Sequence, residues 1–100
     1  MPRIVLTGYI YRDPEGMFVS HCNELDTDTW AETMEAVRAL TPHMITGYFV
    51  AAKNMGTLDR VLSELAAGRS VPGGTAVAEK WKAQPRDNGL QFDAQFSAAA

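Results

Sequence analysis

The sequence has few of the features that mark secreted, membrane-spanning or nucleic-acid-binding proteins. A single cysteine among its 100 residues excludes an internal disulfide framework and agrees with a reducing cytoplasm. The longest uninterrupted apolar run, Tyr48–Ala52, is far shorter than the roughly 20 residues of a membrane-spanning helix. The N-terminal residues turn polar at Thr7, so we expect no secretory signal. A formal net charge of −3 argues against a basic nucleic-acid-binding surface. These absences favour a small cytoplasmic binding or regulatory module.

Catalytic and cofactor-binding patterns are also scarce. Gly73–Thr75 lacks the lysine and the glycine spacing of a phosphate loop. His21 and Cys22 are neighbours on a predicted strand, so they point to opposite faces and do not suit one metal ion. Lys80–Lys82 contains Trp81 and could stack a nucleic-acid base, but it is more typical of a charged edge strand. We expect no enzyme, no cofactor and no metal site.

The N-terminal third predicts a β-hairpin. Residues 3–12 are rich in β-branched and aromatic side chains, and residues 17–22 form a second short alternating segment. Between them, Asp13–Gly16 has the order of residues that a type I turn prefers, with Pro at its second position. We therefore predict two antiparallel strands joined by this turn.

The middle of the chain predicts helices. The polar residues 23–28 suggest a loop, and Thr29–Glu32 matches a capping box that would start a helix. An apolar stripe at helical spacing then runs from Trp30 to Met55, and Gly56 ends it. Pro42 either kinks this helix or starts a second one, and residues 57–68 predict a short last helix.

The C-terminal third returns to strand patterns. Residues 70–74 are typical of a flexible connector, and two alternating segments flank Asn88–Gly89, which favours a tight turn. These segments predict a hairpin at about 75–97, although residues 75–82 could instead form a short helix. We therefore predict an α+β fold, with residues 1–68 as its main part and residues 69–100 as a connector and a hairpin that completes or extends it.

The acidic residues are unevenly distributed, because seven of the twelve lie between positions 13 and 35 and no Lys or Arg lies between Arg12 and Arg38. Clustered carboxylates could hold two metal ions, but no histidine stands at ligand spacing. The segment could also be a solvated face that favours a helix N-terminus. We favour a docking surface for a basic partner. The predicted partner-binding residues are Glu24, Asp26, Asp28, Glu32 and Glu35.

From Ile4 to about Leu65 the chain resembles the HicB family, the antitoxin half of HicBA toxin–antitoxin modules. The resemblance is carried by four ordered segments: the turn Asp13–Gly16, the phrase Met17–Asp26, the capped start Asp28–Thr29 followed by Glu32–Val37, and Ala51–Leu62 with its Gly-Thr-Leu-x-x-Val-Leu pattern. It implies a degenerate ribonuclease-H-like fold without metal carboxylates. It also implies a protein that dimerises and that binds and masks a small basic endoribonuclease toxin of the HicA type.

The chain departs from the HicB pattern in its strands and in its tail. Only Thr27 separates Asp26 from Asp28–Thr29, so the family's third strand is expected to be missing, and the C-terminal hairpin is the available substitute. The tail shows no helix-turn-helix or ribbon-helix-helix pattern, and we expect no sequence-specific DNA binding by this chain alone. These departures leave an alternative: a stand-alone inhibitor or adaptor, possibly phage-encoded, that binds a nucleic-acid-handling host complex.

A homodimer is expected for two further reasons. Exposed edges of a short sheet invite pairing, and the chain has many aromatic residues for one small core. They are Tyr9, Tyr11, Phe18, Trp81, Phe92 and Phe96.

Overall fold

The computed structural model describes residues 5–60, 77–86 and 91–98, and it confirms the α+β class. In chain order the elements are β1 (Leu6–Arg12), β2 (Phe18–Cys22), β3 (Thr27–Ala31), α1 (Met34–Asn54), β4 (Val77–Pro85) and β5 (Phe92–Ala98). Residues 58–60 are helical as well. The five strands form one open antiparallel sheet in the order β3-β2-β1-β4-β5, and α1 packs on one of its faces.

The N-terminal hairpin and its turn are confirmed. The Gly16 amide donates to the Asp13 carbonyl at 3.0 Å, which closes the predicted four-residue turn. The Asp13 carboxylate also accepts from the amides of Glu15 and Met17, each at 2.9 Å. Gly16 has φ +90°, a conformation that a residue with a side chain rarely adopts. The turn is therefore fixed by Asp13 at its start and by Gly16 at its end.

The expectation of a missing third strand is wrong. The Asp26 amide donates to the Cys22 carbonyl at 3.0 Å, and Asp26 takes φ +51°, so a tight turn leads directly into β3. The predicted capping box at Thr29–Glu32 is wrong for the same reason, since its first three residues belong to β3. The helix starts one turn later, where the Thr33 hydroxyl accepts from the Ala36 amide at 3.1 Å. Thr29 and Thr33 are equally suitable as helix caps. Because Thr29 lies in β3 and pairs with β2, Thr33 caps the helix.

Helix α1 is continuous across Pro42, so of the two alternatives at this position the start of a second helix is wrong. Proline removes one backbone donor, but the helix buries an apolar stripe on both sides of it, which keeps both halves on the sheet. The predicted end at Gly56 is confirmed. Gly56 has φ +73°, its amide donates to Lys53, and the Thr57 amide donates to Ala52 at 2.9 Å.

The C-terminal hairpin is confirmed, and the alternative of a helix at 75–82 is wrong over residues 77–82. Strand β4 pairs with β1, so residues far apart in the chain complete one sheet. Because β4 has a neighbour on each side, the interpretation of Lys80–Lys82 as an edge strand is also wrong. The predicted turn at Asn88–Gly89, the connector at 70–74 and most of the predicted last helix lie outside the described residues.

A buried polar chain joins the sheet to the helix across β1. The Trp81 Nε1 donates to the Ser20 Oγ at 3.0 Å, and the Ser20 and Thr41 hydroxyls are 2.8 Å apart. Thr41 Oγ1 also lies 2.9 Å from the Val37 carbonyl. Each hydroxyl has one proton, so all groups are satisfied when Ser20 donates to Thr41 and Thr41 donates to Val37. The Trp81 ring reaches Ser20 by crossing β1 at Gly8, which has no side chain.

The Cys22 thiol is buried in the core, and this gives a prediction for its reactivity. Burial raises the pKa of this thiol to about 12, so at pH 8 almost no nucleophilic thiolate exists. We expect native protein to react with Ellman's reagent at least about 100-fold more slowly than the same protein in guanidinium chloride. Equal rates in the two states would contradict the placement of Cys22.

Candidate functional site

The sheet face opposite α1, here called the open face, carries a row of side chains whose charge changes across the sheet. Cross-strand partners point to the same face, and the register aligns one residue from each strand. From β3 to β5 the row is Asp28, His21, Tyr9, Lys80 and Ser97. The row thus begins with a carboxylate, passes through two rings and reaches an ammonium group.

The acidic side of the open face is built around His21. Its Nδ1 lies 2.5 Å from an Asp28 carboxylate oxygen, and its Nε2 lies 3.8 Å from the Asp26 carboxylate. The Tyr9 ring packs against the imidazole with 5.2 Å between ring centroids. The pairing of β2 with β3, together with the turn between them, therefore brings two of the predicted partner-binding carboxylates to His21.

The tyrosines of β1 lie within reach of these negative charges. Burial raises the pKa of Tyr9, and the charges of Tyr11, Asp28 and Asp26 raise it further. Burial also raises the pKa of Tyr11, with additional effects from Asp28 and Asp13. Both phenols therefore stay neutral at physiological pH and can donate hydrogen bonds in this acidic field.

An acid-rimmed groove lies at one end of the open face. It encloses about 580 Å³ and is lined by Tyr11, Asp13, Glu15, Met17, Val19, Asp28 and Trp30. Cross-strand pairing places Trp30, Val19 and Tyr11 side by side on β3, β2 and β1. Trp30 is 62 % exposed, whereas Val19 is buried. We call these seven residues the acidic groove, because three carboxylates surround its aromatic and aliphatic floor.

The five predicted partner-binding residues do not form one cluster. Asp26 and Asp28 lie together beside His21. Glu24 instead accepts hydrogen bonds from the Thr7 amide at 2.7 Å and the Thr7 hydroxyl at 2.6 Å, so it stabilises the fold. Glu32 and Glu35 are exposed at the start of α1.

Sequence reasoning missed the role of Trp30, which it placed on the buried side of a helix. Alternation of Asp28 and Trp30 with the threonines of β3 was the available signal, and the apparent capping box obscured it. Asp13 and Glu15, in the turn between β1 and β2, belong to the acidic segment at positions 13–35 but were not among the predicted partner-binding residues.

The β4 side of the open face is basic. Lys80 and Lys82 line a second cavity of about 450 Å³, together with Thr7, Asn23 and Gln95 among others. Neither lysine has an ion-pair partner among the residues that the structure describes. Trp81 between them is only 2 % exposed, so it belongs to the core and does not suit base stacking.

The predicted separation of His21 from Cys22 is confirmed, because Cys22 lies in the core on the helix side of the sheet. Over residues 5–60, 77–86 and 91–98, no three His, Cys, Asp or Glu side chains are grouped as a metal ion would require. No helix in the same ranges is long and apolar enough to cross a membrane.

No family model, curated protein or solved structure matches the chain. The molecule is an α+β protein whose sheet is covered by α1 on one face. Its other face is acidic on the β3 side and basic on the β4 side.

Proposed function

We propose that this chain is an antitoxin-like protein that binds and masks a small basic endoribonuclease toxin of the HicA type, without catalysis of its own. The observation that carries the proposal is Trp30, a 62 % exposed indole whose groove is rimmed by Asp13, Glu15 and Asp28. The order of the motifs between Ile4 and Leu65, which resembles the HicB family, supports the same function.

An acidic groove with an exposed indole suits a basic protein partner. Tryptophan is among the residues that most often dominate binding energy at protein interfaces, and its face attracts Arg and Lys side chains. Carboxylates at the rim steer a basic partner toward the groove and disfavour neutral or acidic ones. The groove thus combines one large contact residue with charges that select the partner.

Masking follows from the electrostatics of ribonucleases. An enzyme that binds RNA must present Lys and Arg to the phosphate groups. A carboxylate surface that covers those cations competes directly with RNA, and it needs no chemical step. The proposed inhibition is therefore competitive with RNA and weakens as salt screens the charges.

The presence of β3 weakens the alternative of a stand-alone inhibitor or adaptor. That alternative rested on a lost third strand and on the lack of a DNA-binding pattern, and the first of these is overturned by strand Thr27–Ala31. The antitoxin-like function is therefore preferred.

Substitution of Trp30 by Ala is expected to weaken binding of a small basic toxin of the HicA type by about 30-fold or more. An interface tryptophan of this kind contributes about 2 kcal/mol or more to the free energy of binding. Because about 1.4 kcal/mol changes the dissociation constant tenfold, this energy corresponds to about 30-fold weaker binding. Asp28→Asn should weaken binding less and reduce its salt dependence. Titration calorimetry with purified toxin at 0.15 M salt measures both effects.

The matched control is Val50→Ala, which removes another exposed apolar side chain, on the outer surface of α1. Its affinity should equal that of the unaltered chain. A Trp30→Ala variant that keeps its unfolding temperature and binds toxin with unchanged affinity would refute the acidic groove as the docking site.

A further inference from the structure

We infer that the cavity on the β4 side of the open face binds the phosphate monoester of a small polyhydroxylated molecule, such as a sugar phosphate. This cavity, here called the basic cavity, encloses about 450 Å³. Six polar side chains of the open face line it, and they are Thr7, Asn23, Lys80, Lys82, Gln95 and Ser97. The inference does not depend on the proposed function, because the basic cavity shares no lining residue with the acidic groove.

The strand register brings these side chains together. Lys82 pairs with Thr7 on β1 and with Gln95 on β5, and cross-strand partners share a face of the sheet. The Asn23 amide donates to the Thr7 carbonyl at 2.9 Å, which places Asn23 in the same row. Lys80 lies two residues before Lys82 on β4 and therefore on the same face. Three strands and the end of β2 thus contribute to one site.

The two lysines of the basic cavity are not explained by protection of an edge strand. Lysines on an edge discourage aggregation, but β4 has β1 on one side and β5 on the other. Glu79 points to the opposite face, where its carboxylate accepts from the Arg38 Nε at 2.9 Å. No described residue forms an ion pair with Lys80 or Lys82. Two such cations on an internal strand favour an anionic ligand.

The carboxylates that lie beside the basic cavity in the chain have other partners. Glu24 follows Asn23, and it accepts from the Thr7 amide at 2.7 Å and from the Thr7 hydroxyl at 2.6 Å. Asp93 lies on β5 and accepts from the Arg86 Nε at 3.0 Å. Neither carboxylate lines the basic cavity. The charged groups of its lining are therefore the two ammonium groups alone.

The spacing of the lysines suits a doubly charged group. Alternate residues of a strand have their Cα atoms roughly 7 Å apart, and the flexible lysine stems allow both ammonium groups to reach one ligand group. A phosphate monoester carries a charge of about −1.5 to −2 at neutral pH and presents three strong acceptor oxygens. A carboxylate has a single charge and would leave one lysine without a counter-charge. The pair of lysines therefore favours a phosphate monoester.

The size and the uncharged lining of the basic cavity suit a polyhydroxylated molecule. Its volume lies in the range of small-molecule sites and exceeds what a phosphate group alone would fill. Gln95 and Ser97 offer amide and hydroxyl groups, which both donate and accept hydrogen bonds as sugar hydroxyls require. Trp81 also lines the cavity but is only 2 % exposed, so it does not provide a surface for stacking a base. These features favour the sugar over the base as the recognised part.

Asn23 gives the lining an acceptor that is not used within the protein. Its side chain is buried, and its Nδ2 donates to the Thr7 Oγ1 at 3.3 Å. Its Oδ1 has no hydrogen-bond partner among the residues that the structure describes. Buried polar atoms in proteins nearly always have a partner. A hydroxyl group of the ligand is the partner that we assign to this oxygen.

A titration of the ¹⁵N-labelled full chain with ribose 5-phosphate tests the site through its amide chemical shifts, at pH 7.5 and 0.05 M salt. Saturable shifts should be centred on Thr7, Asn23, residues 80–82 and residues 95–97, with a dissociation constant below about 1 mM. Ribose and inorganic phosphate, titrated separately, should each bind at least about tenfold more weakly. Adenosine 5′-monophosphate distinguishes two sources of the same chemistry. Equal or weaker binding than that of ribose 5-phosphate indicates a free sugar phosphate, and tighter binding indicates a nucleotide.

Substitution of each lysine assigns the binding to the basic cavity. Lys80→Gln and Lys82→Gln should each raise the dissociation constant for ribose 5-phosphate at least about tenfold, because each removes a charge-assisted hydrogen bond. Lys53→Gln is the matched control, since it removes one positive charge from the exposed surface of α1. Its affinity should equal that of the unaltered chain. The dispersion of the amide spectrum verifies that each variant is folded.

Several results would overturn the inference. One is the absence of saturable shifts with both ribose 5-phosphate and adenosine 5′-monophosphate. Another is a set of shifts centred outside the basic cavity. Binding of ribose or of inorganic phosphate as tight as that of ribose 5-phosphate would also contradict it. So would an affinity of the folded Lys80→Gln and Lys82→Gln variants that equals the affinity of Lys53→Gln.

Discussion

Replacement of Gly8 by alanine is expected to destabilise the protein by more than about 3 kcal/mol, a large share of the roughly 5–15 kcal/mol that holds a small domain folded. A Cβ atom at this position would lie 2.1 Å from the His21 carbonyl oxygen and 2.1 Å from Cζ2 of Trp81. Both distances are far inside van der Waals contact. One neighbour is backbone and the other is a rigid ring, so neither can move away at small cost.

The damage at Gly8 would extend beyond the clash. The Trp81 ring crosses β1 at Gly8 and donates to the buried Ser20 hydroxyl at 3.0 Å. If the added methyl group displaces the ring, the indole N–H and the Ser20–Thr41 pair lose their arrangement inside the core. A buried donor without a partner costs about 1–3 kcal/mol in addition.

Urea unfolding followed by circular dichroism measures this effect, and Gly47→Ala is the matched control. Gly47 lies within α1, and a Cβ there meets nothing within 4 Å. Alanine is the better helix former, so this variant should gain about 0.5–1 kcal/mol. Equal stability of Gly8→Ala and the unaltered chain would show that Trp81 does not lie across β1.

Replacement of Phe49 by alanine is expected to cost about 3–5 kcal/mol, which is typical of a fully buried phenylalanine. Phe49 is 0 % exposed and stacks on Phe92 of β5, with 5.2 Å between ring centroids and 15° between ring planes. The cavity left behind would lie between α1 and the last strand. The free energy of unfolding in urea and the unfolding temperature should both fall.

Val50→Ala is the control, because Val50 is the next residue of α1 and is 40 % exposed. Its free energy of unfolding should change by no more than about 0.5 kcal/mol. If Val50→Ala were as destabilising as Phe49→Ala, the outer side of α1 would have to be buried.

Local sequence signals predicted the hairpins but not the order of the sheet. Asp13 and Gly16 determine their turn through adjacent backbone groups, so the pattern was sufficient there. By contrast, Thr29 and Thr33 are both good helix caps, and only pairing of β3 with β2 selects Thr33. Likewise, the insertion of β4 beside β1 depends on Gly8 and Trp81, which are more than seventy positions apart. Such pairings leave no signal within a short window of sequence.

The candidate site was predicted only in part, because composition shows neither strand pairing nor hydrogen-bond partners. The excess of acid between positions 13 and 35 was visible from composition, and Asp28 indeed lines the acidic groove. Composition could not separate the carboxylate of Glu24, which Thr7 binds within the fold, from those that face solvent. Nor could it place Trp30 on the same face as Tyr11, because that requires β3.

The most direct test of the proposed function is a ribonuclease assay with a purified small basic endoribonuclease toxin of the HicA type. RNA cleavage should stop at one equivalent of the unaltered chain, and cleavage should return as RNA is added in excess. The Trp30→Ala variant should need at least about 30-fold more protein for the same inhibition, as the loss of an interface tryptophan requires. Undiminished cleavage in the presence of a tenfold excess of folded, unaltered chain would contradict the account.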